Sequence, residues 1–366
     1  MSDAATGTLA YERKKKQLLA ALAATPQTAE VRVGLAKTTS NLFRDRAARR
    51  PRIDLGHFAG VVAVHPERGT VDAEGMTTFV DLADATLAHG TMPAVVPQLK
   101  SITLGGAVAG VGIEATSFRH GLVHHAIVAM DVLTGDGRVV SCTADNEHRD
   151  LFLGFPNSYG TLGYALKLTA RTLPVKRYVR VDHARHDDEG RFFADLAQAC
   201  ADDGVDFVDG VVFGRGDLVL SRGRFTDDAP WASDYTFEQI YYRSLRERSV
   251  DYLTTRDYLW RWDTDWFWCS RNVGAQHPLV RRLYGRTRLN SITYQKIMRW
   301  NSRIGAMAAL NRLRGIRAES VIQDVDIPLA HADEFLGFLL REIGIVPVWI
   351  CPLREPAGSG AFALYP

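Results

Sequence analysis

Three stretches in the first half of the chain concentrate main-chain donors and small polar side chains. The first spans 37–44 and holds Thr38, Thr39, Ser40 and Asn41 between Lys37 and Arg44. The second spans 101–112 and holds Ser101, Thr103, Gly105, Gly106, Gly110 and Gly112. The third spans 160–163 and holds Gly160, Thr161 and Gly163. Glycine has no Cβ, so a backbone can approach a ligand closely, and successive N–H groups form concave nests for phosphate oxygens. One such cluster alone reads as tight turns. Three in order suit a long dinucleotide better than a single phosphate. Gly110, Gly112 and Ala115, with Asp131 downstream, formally match the nucleotide-binding G-x-G-x-x-A spacing. That fingerprint must open a helix; here Gly121 interrupts and a strand-like run follows, so the match is set aside.

The elements that must hold these loops are legible from periodicity. An amphipathic helix is predicted over 10–24, a strand over 31–35 and a polar turn over 37–41. Strands 61–65 and 70–73 flank a turn at 66–69, and helix 77–89 closes on Gly90. Runs 126–133 and 138–142 form a hairpin across 134–137, and 166–172 alternates like a half-buried strand. After Pro174 the character changes. Strands are predicted over 178–182, 207–213, 218–224, 321–327 and 346–351, with helices over 191–201 and 332–343. Between them, 231–314 is rich in Arg, Trp and Tyr. The organisation read from this is a helical segment 1–30, a glycine-bearing domain 31–176 and a second domain 177–366.

Composition narrows the class. The 366 residues are 46% hydrophobic and 23% charged, with a formal charge of +2, which excludes a disordered chain and a dedicated nucleic-acid binder. No uninterrupted apolar run is long enough to span a bilayer, and the N-terminal apolar stretch is too short for a secretory signal. Cys142, Cys200, Cys269 and Cys351 lie far apart without metal-ligand spacing, so no metal site and reduced thiols in a cytoplasmic setting are expected.

The segments Pro93 to Pro97, TLGGAVAGVGIEATSFRHG, MDVLTGDGRVVSC and DLFLGFPNSYGTLGYALKLTARTLP, in that order, resemble the FAD-binding domain of the vanillyl-alcohol-oxidase (PCMH-type) flavoproteins. RRLYGR, VIQDVDIP and VPVWICP extend the resemblance, from about residue 32 to 353, toward the Δ24-sterol reductase branch. The stretch KTTSNLFR is similar to actinobacterial flavoproteins that reduce a methylene fatty acyl chain. The resemblance implies an α+β fold: a two-subdomain PCMH-type FAD-binding domain, then a cap domain with an antiparallel sheet and a helical insertion. It places Thr38–Asn41 in the first pyrophosphate loop. Ser101, Thr103, Gly105, Gly106, Gly110 and Gly112 fall in the second, and Gly160, Thr161 and Gly163 in a late loop near flavin and adenosine. The first loop lacks a His and the second a Cys, so non-covalent FAD is implied. Gln98 stands where amine-oxidising members carry an Asp. The family's chain normally continues past GAFALYP, so a C-terminal truncation is expected, with an inactive flavin-binding protein as one alternative.

Reduction of an unactivated C=C needs a positioned acid, an apolar pocket and an external reductant, for which NADPH is expected. Glu114 follows the second loop directly; its ordinary reading is a solvated or structurally paired carboxylate. Asp324 and Asp326 share one face of the strand predicted at 321–327. Tyr159 is a further donor, with a core position as its ordinary reading. His124 and His125 are predicted on an extended segment, pointing apart as a poor metal pair. Tyr252, Tyr258, Trp260, Trp262, Trp266, Phe267 and Trp268 crowd between basic runs. Rings beside Arg suit a lipid interface, so the segment 243–288 is a candidate for peripheral membrane contact, against an ordinary aromatic core. A lipid substrate fits; an oxidase of an alcohol or amine on the same fold is the competing enzyme.

Overall fold

The computed structural model describes residues 3–24, 34–35, 52–305, 315, 324–358 and 361–364. Its first helix, α1 (Asp3–Ala24), begins seven residues before the expected start, through a stretch that includes the good helix formers Ala4, Ala5 and Leu9. Tyr11 and Leu18, seven residues apart, face inward against Phe58, Val62 and Leu166. The Tyr11 hydroxyl donates to Asp131 Oδ2 at 2.6 Å, and Lys14 pairs with buried Glu74 at 2.7 Å, which ties the helix to the sheet beneath it.

Strands β1 (Gly34–Leu35) and β2 (Arg52–Ile53) make a short parallel pair. The loop with Thr38, Thr39, Ser40 and Asn41 lies outside the described residues. β3 (Val61–His65) and β4 (Thr70–Glu74) follow, joined by a single 3-10 turn that Gly69 closes in the left-handed region. Helix α2 (Phe79–Leu87) is capped by Thr78, whose side chain accepts from Asp81 N, and buries Phe79, Leu82 and Ala83. Then come β5 (Thr91–Pro93), α3 (Leu104–Ala109), α4 (Ser117–His120), the hairpin β6 (Ile127–Leu133) and β7 (Val139–Thr143), α5 (Arg149–Gly154) and β8 (Tyr164–Pro174). They form a six-stranded antiparallel sheet in the order β3-β4-β8-β6-β7, with β5 also on β8. Leu166, Leu168 and Ala170 of β8 are buried at every second position, as their alternation requires.

The second sheet is built from β9 (Tyr178–His186), β10 (Phe207–Gly214), β11 (Asp217–Thr226), β12 (Val250–Thr254) and β13 (Val348–Ile350). Their order is β12-β9-β11-β10-β13, again antiparallel. Helix α6 (Glu189–Ala201), capped by Asp188, packs Phe192, Phe193 and Leu196 on this sheet. The short helices α7 (Tyr241–Ser244), α8 (Thr255–Leu259) and α9 (Pro278–Tyr284) and the longer α10 (Ser291–Ile304) form the insertion before α11 (Ala332–Phe338). One difference from expectation concerns 321–327. Residues 321–323 lie outside the described residues, and 324–327 belong to no helix or strand. β13 pairs with β10 over Gly210–Val212, and the described part of the Asp324 segment joins neither sheet.

Both sheets drain into one apolar core. Val71, Leu168 and Phe79 of the first half belong to the same buried cluster as Val179, Phe207, Tyr258 and Trp262 of the second. Arg256 clamps Asp84 of α2 with two bonds of 2.6 and 2.9 Å, and Val208 N donates to Ala115 O at 2.8 Å. The seam between the sheets is therefore fixed by packing, an ion pair and backbone bonds together.

Candidate active site

The second glycine stretch is not an open loop. Thr103 caps α3 by accepting from Gly106 N, and the Leu104 and Gly105 amides donate to Thr77 O and Gly75 O. Gly105 packs so closely on Gly75 that a Cβ would lie 2.7 Å from the Gly75 carbonyl oxygen. Gly112 is enclosed by Val123, Ala107 and Pro97, and at Gly163 a Cβ would meet Leu133 O at 2.3 Å. Close approach of protein to protein thus explains these three glycines. Gly106 is exposed and Gly110 half-buried, but their amides are engaged, Gly106 N with Thr103 Oγ1 and Gly110 N with Gly106 O at 3.0 Å, so what they offer a ligand is close approach without a Cβ.

The second and third stretches are joined to each other. Tyr159 N donates to Ala109 O at 2.7 Å and Asn157 N to Val108 O at 3.3 Å, so the late loop lies along the end of α3. Thr161 is exposed, and its hydroxyl donates to Ser158 O at 2.7 Å. Asn157 and Tyr159 both sit at positive φ, 59° and 52°, a conformation that costs a non-glycine residue about 1 kcal/mol or more. Tyr159 is half exposed, contrary to a core position, because this backbone turn directs it outward beside Gly110. Around the loops, Ser101 Oγ, Ser158 Oγ, Asn157 Oδ1 and Gln98 Nε2 are buried with no hydrogen-bond partner among the described residues. Buried polar atoms are almost always satisfied. Orphans of this kind, beside the close approach that Gly106 and Gly110 allow, fit a polar ligand such as a dinucleotide.

Two residues beyond Gly112 stands Glu114, buried to 1% exposure. Its backbone is held by Ser117 from both sides: Glu114 N donates to Ser117 Oγ at 3.0 Å, and Ser117 N to Glu114 O at 2.7 Å. Its carboxylate receives Arg261 Nη2 at 2.9 Å, and the same nitrogen donates to Asp209 Oδ2 of β10 at 2.9 Å. The Arg261 guanidinium lies 3.9 Å from the centre of the Tyr258 ring. Trp349 Nε1 donates to Asp209 Oδ2 at 3.2 Å, and Cys351 Sγ donates to Glu114 O at 3.2 Å. One cation between two carboxylates at full burial leaves a deficit of positive charge. Burial raises the Glu114 carboxyl to about 7, with Asp209 adding to the rise and Arg261 opposing it. Glu114 Oε2 has no partner among the described residues. The group is thus a buried carboxyl able to hold and release a proton near neutrality.

The other expected residues fall elsewhere. Asp324 and Asp326 are exposed and outside both sheets, so strand geometry does not place them on a common face. His124 and His125 occupy a 3-10 turn rather than an extended segment, and their rings lie side by side at 4.3 Å between centroids. Burial lowers His124 to about 3, and Phe362 of the C-terminal segment packs edge-on at 4.5 Å. Among the described residues no group of His, Cys, Asp and Glu could hold a metal ion. Tyr258, Trp260, Trp262 and Trp266 are buried, so the ordinary reading prevails for them: their rings make core, with Trp262 stacked on Phe267 at 4.8 Å. Sequence reasoning missed Arg261, Asp209 and Trp349, which are 147, 95 and 235 residues from Glu114 and meet it only through the fold.

Comparison with known proteins bears on this arrangement. Residues 12–143 match the family model described as FAD binding domain. The chain is 27% identical over 330 residues to Delta(24)-sterol reductase of Arabidopsis thaliana, covering 84% of this chain and 57% of that protein. It is 25% identical over 315 residues to Delta(24)-sterol reductase of Homo sapiens, covering 82% and 58%. Cytokinin dehydrogenase 6 of Oryza sativa subsp. japonica is 32% identical over 228 residues, 57% of this chain and 42% of that protein. The chain spans less than three-fifths of the length of the sterol reductases it matches. It carries an FAD-binding domain of the PCMH-type flavoproteins, and its similarity to the Delta(24)-sterol reductases extends well beyond that domain.

Proposed function

We propose that the chain is an FAD-dependent oxidoreductase that reduces a carbon–carbon double bond of a lipid with NADPH as electron donor. The substrate is a sterol or isoprenoid side chain or a methylene-bearing fatty acyl chain. Similarity to the Delta(24)-sterol reductases supports the reaction class. The geometric observation that carries the reading is a buried carboxyl of raised proton affinity, Glu114, two residues past the second glycine stretch. Residues 31–176 hold FAD non-covalently, and 177–366 cover the substrate. The main chain of Gly106 and Gly110, the hydroxyls of Ser101 and Thr161 and the loop Thr38–Asn41 are assigned to the coenzyme. When bound and reduced, FAD supplies the hydride.

The chain's own groups supply the rest. Glu114 Oε2 delivers the proton to one carbon of the double bond while the other receives hydride. Arg261 and Asp209 fix the carboxyl in place, and the apolar seam around Tyr258 and Trp262 excludes water. Tyr159, exposed beside Gly110, is a second donor at the loop. Asp324 is retained only as an exposed carboxylate of the second half. Cytoplasmic placement with peripheral membrane contact in 243–288 suits a lipid substrate. The rings of that stretch are largely buried, so contact falls to its exposed end.

The similarity to cytokinin dehydrogenase 6 favours a second reading, dehydrogenation of an amine or alcohol on the same fold. Gln98 in place of the Asp of amine-oxidising members weighs against it. Anaerobic incubation with NADPH and each lipid class, read by mass spectrometry, separates the two. On the reductase reading the lipid gains two hydrogens for each NADPH oxidised. Oxidation of an amine or alcohol in a parallel aerobic incubation without NADPH, with oxygen as acceptor and with no lipid reduction in the anaerobic one, overturns the proposal.

A further inference from the structure

Helices α9 and α10 turn their inner faces to one small core of Ala275, Leu289 and Tyr294, with Tyr284 and Met298 packed against it. Asn290 caps α10 by accepting from Thr293 N at 3.0 Å, which sets the helix in register on that core. The outer faces are unusual for a surface in water. On α9, Leu279 and Leu283, one turn apart, are 64% and 80% exposed. On α10, Ile292, Trp300 and Ile304 recur at helical spacing with 40%, 62% and 57% exposure. Exposed Lys296 and Arg303 lie among them. Residues 278–305 carry seven Lys and Arg and no Asp or Glu. Arg286 is held by Asp234 at 2.7 Å, but Arg288, Lys296 and Arg303 have no carboxylate partner among the described residues.

We propose that the outer faces of α9 and α10 are a docking surface for an anionic lipid leaflet. Apolar side chains interleaved with exposed cations match an interface whose acyl boundary takes Leu, Ile and Trp while its headgroups take Lys and Arg. A second copy of the chain fits less well, since a two-fold contact would set this cationic face against itself. A nucleic acid would engage the cations and Trp300 but leave Leu279, Leu283 and Ile304 in water. Among the described residues no helix is long and apolar enough to cross a membrane, so the geometry is that of a helix pair lying on the surface. This inference deepens the lipid-substrate reading and rests on it for its purpose, but vesicle binding tests it whether or not the chain reduces a lipid.

The test is co-sedimentation of the full chain with phosphatidylcholine vesicles, with and without about 30 mol% phosphatidylserine. Binding is expected to be at least about tenfold tighter on the anionic vesicles and to weaken with added salt. L283E/W300E, at two highly exposed positions, is expected to lower partitioning at least about tenfold on the anionic vesicles. R288Q/K296Q/R303Q removes three exposed cations and is expected to lower it about a hundredfold on anionic vesicles, with little change on neutral ones. Circular dichroism melts identify a folding defect in either variant, and the remaining one still decides. Equal binding to both vesicle types, or no vesicle binding, overturns the proposal. So does a dimer that L283E/W300E dissociates, or RNA binding that both variants weaken.

Discussion

Replacing Glu114 by Gln tests the buried charge cluster through stability alone. In the folded chain the carboxyl is raised to about 7, against an ordinary 4.5 when exposed, chiefly because burial disfavours the charged form. Between those values the folded protein holds a proton that the unfolded chain has released. Folding therefore takes up a proton in that window, and stability falls as pH rises through it. At about 1.4 kcal/mol for each pH unit, the interval amounts to about 3 kcal/mol. Glutamine keeps the shape and cannot titrate. Urea unfolding followed by tryptophan fluorescence, at a series of pH values on both proteins, isolates the effect, because groups common to both cancel in the difference. The wild type is expected to lose about 3 kcal/mol relative to E114Q between pH 4.5 and 7.5. A constant difference would refute the reasoning, as would a wild type that gains on E114Q with rising pH. The latter outcome would mean that Arg261 wins over burial and holds the carboxylate ionised.

Other consequences are equally direct. Gly163→Ala, at φ 141° with its new Cβ placed 2.3 Å from Leu133 O, is expected to cost about 3 kcal/mol or more of unfolding free energy, whereas Gly135→Ala, with open space around it, is expected to stay within about 1 kcal/mol. Tyr11→Phe removes the 2.6 Å bond to Asp131, which keeps Ser141 at 2.6 Å; a loss of about 2 kcal/mol and faster hydrogen exchange in α1 are expected. Gly106→Val, at the exposed turn of α3, is expected to abolish flavin retention on gel filtration while leaving the far-ultraviolet spectrum nearly unchanged. Normal flavin occupancy in that variant would count against the loop assignment.

Much of the scaffold was legible because its cause is local. The alternation in 166–172 becomes β8, the Thr134 to Gly137 turn joins β6 to β7 with Gly137 at φ 83°, and Gly90 ends the segment after α2 at φ 70°. The short helix α3 was hidden because its glycines have low helix propensity, and only the Thr103 cap signals it. The Asp324 segment looked like a strand by composition, yet a strand also needs a pairing partner, and residues 324–327 join neither sheet. For Trp260 and Trp262 composition was mute: the same rings serve an interface or a core, and burial decides. The site divides in the same way. Glu114 stood out by its place after the glycines, whereas Arg261 and Asp209 belong to it through contacts 147 and 52 residues apart along the chain. The glycines themselves split, Gly106 standing exposed at the loop and others, such as Gly163, serving the approach of two strands.

The central claim is that a coenzyme held by the first half and a proton from the seam act on one double bond. Isotope transfer tests it most directly. NADPH carrying deuterium at its hydride position and an unsaturated lipid are incubated anaerobically with the flavin-loaded protein, in ordinary water and then, with unlabelled NADPH, in deuterium oxide. The account expects a saturated product that takes the hydride-derived hydrogen on one carbon and a solvent-derived one on its neighbour, with E114Q slowing the reaction about a hundredfold or more. No saturated product in the wild type, or E114Q turning over at the full rate, would contradict it.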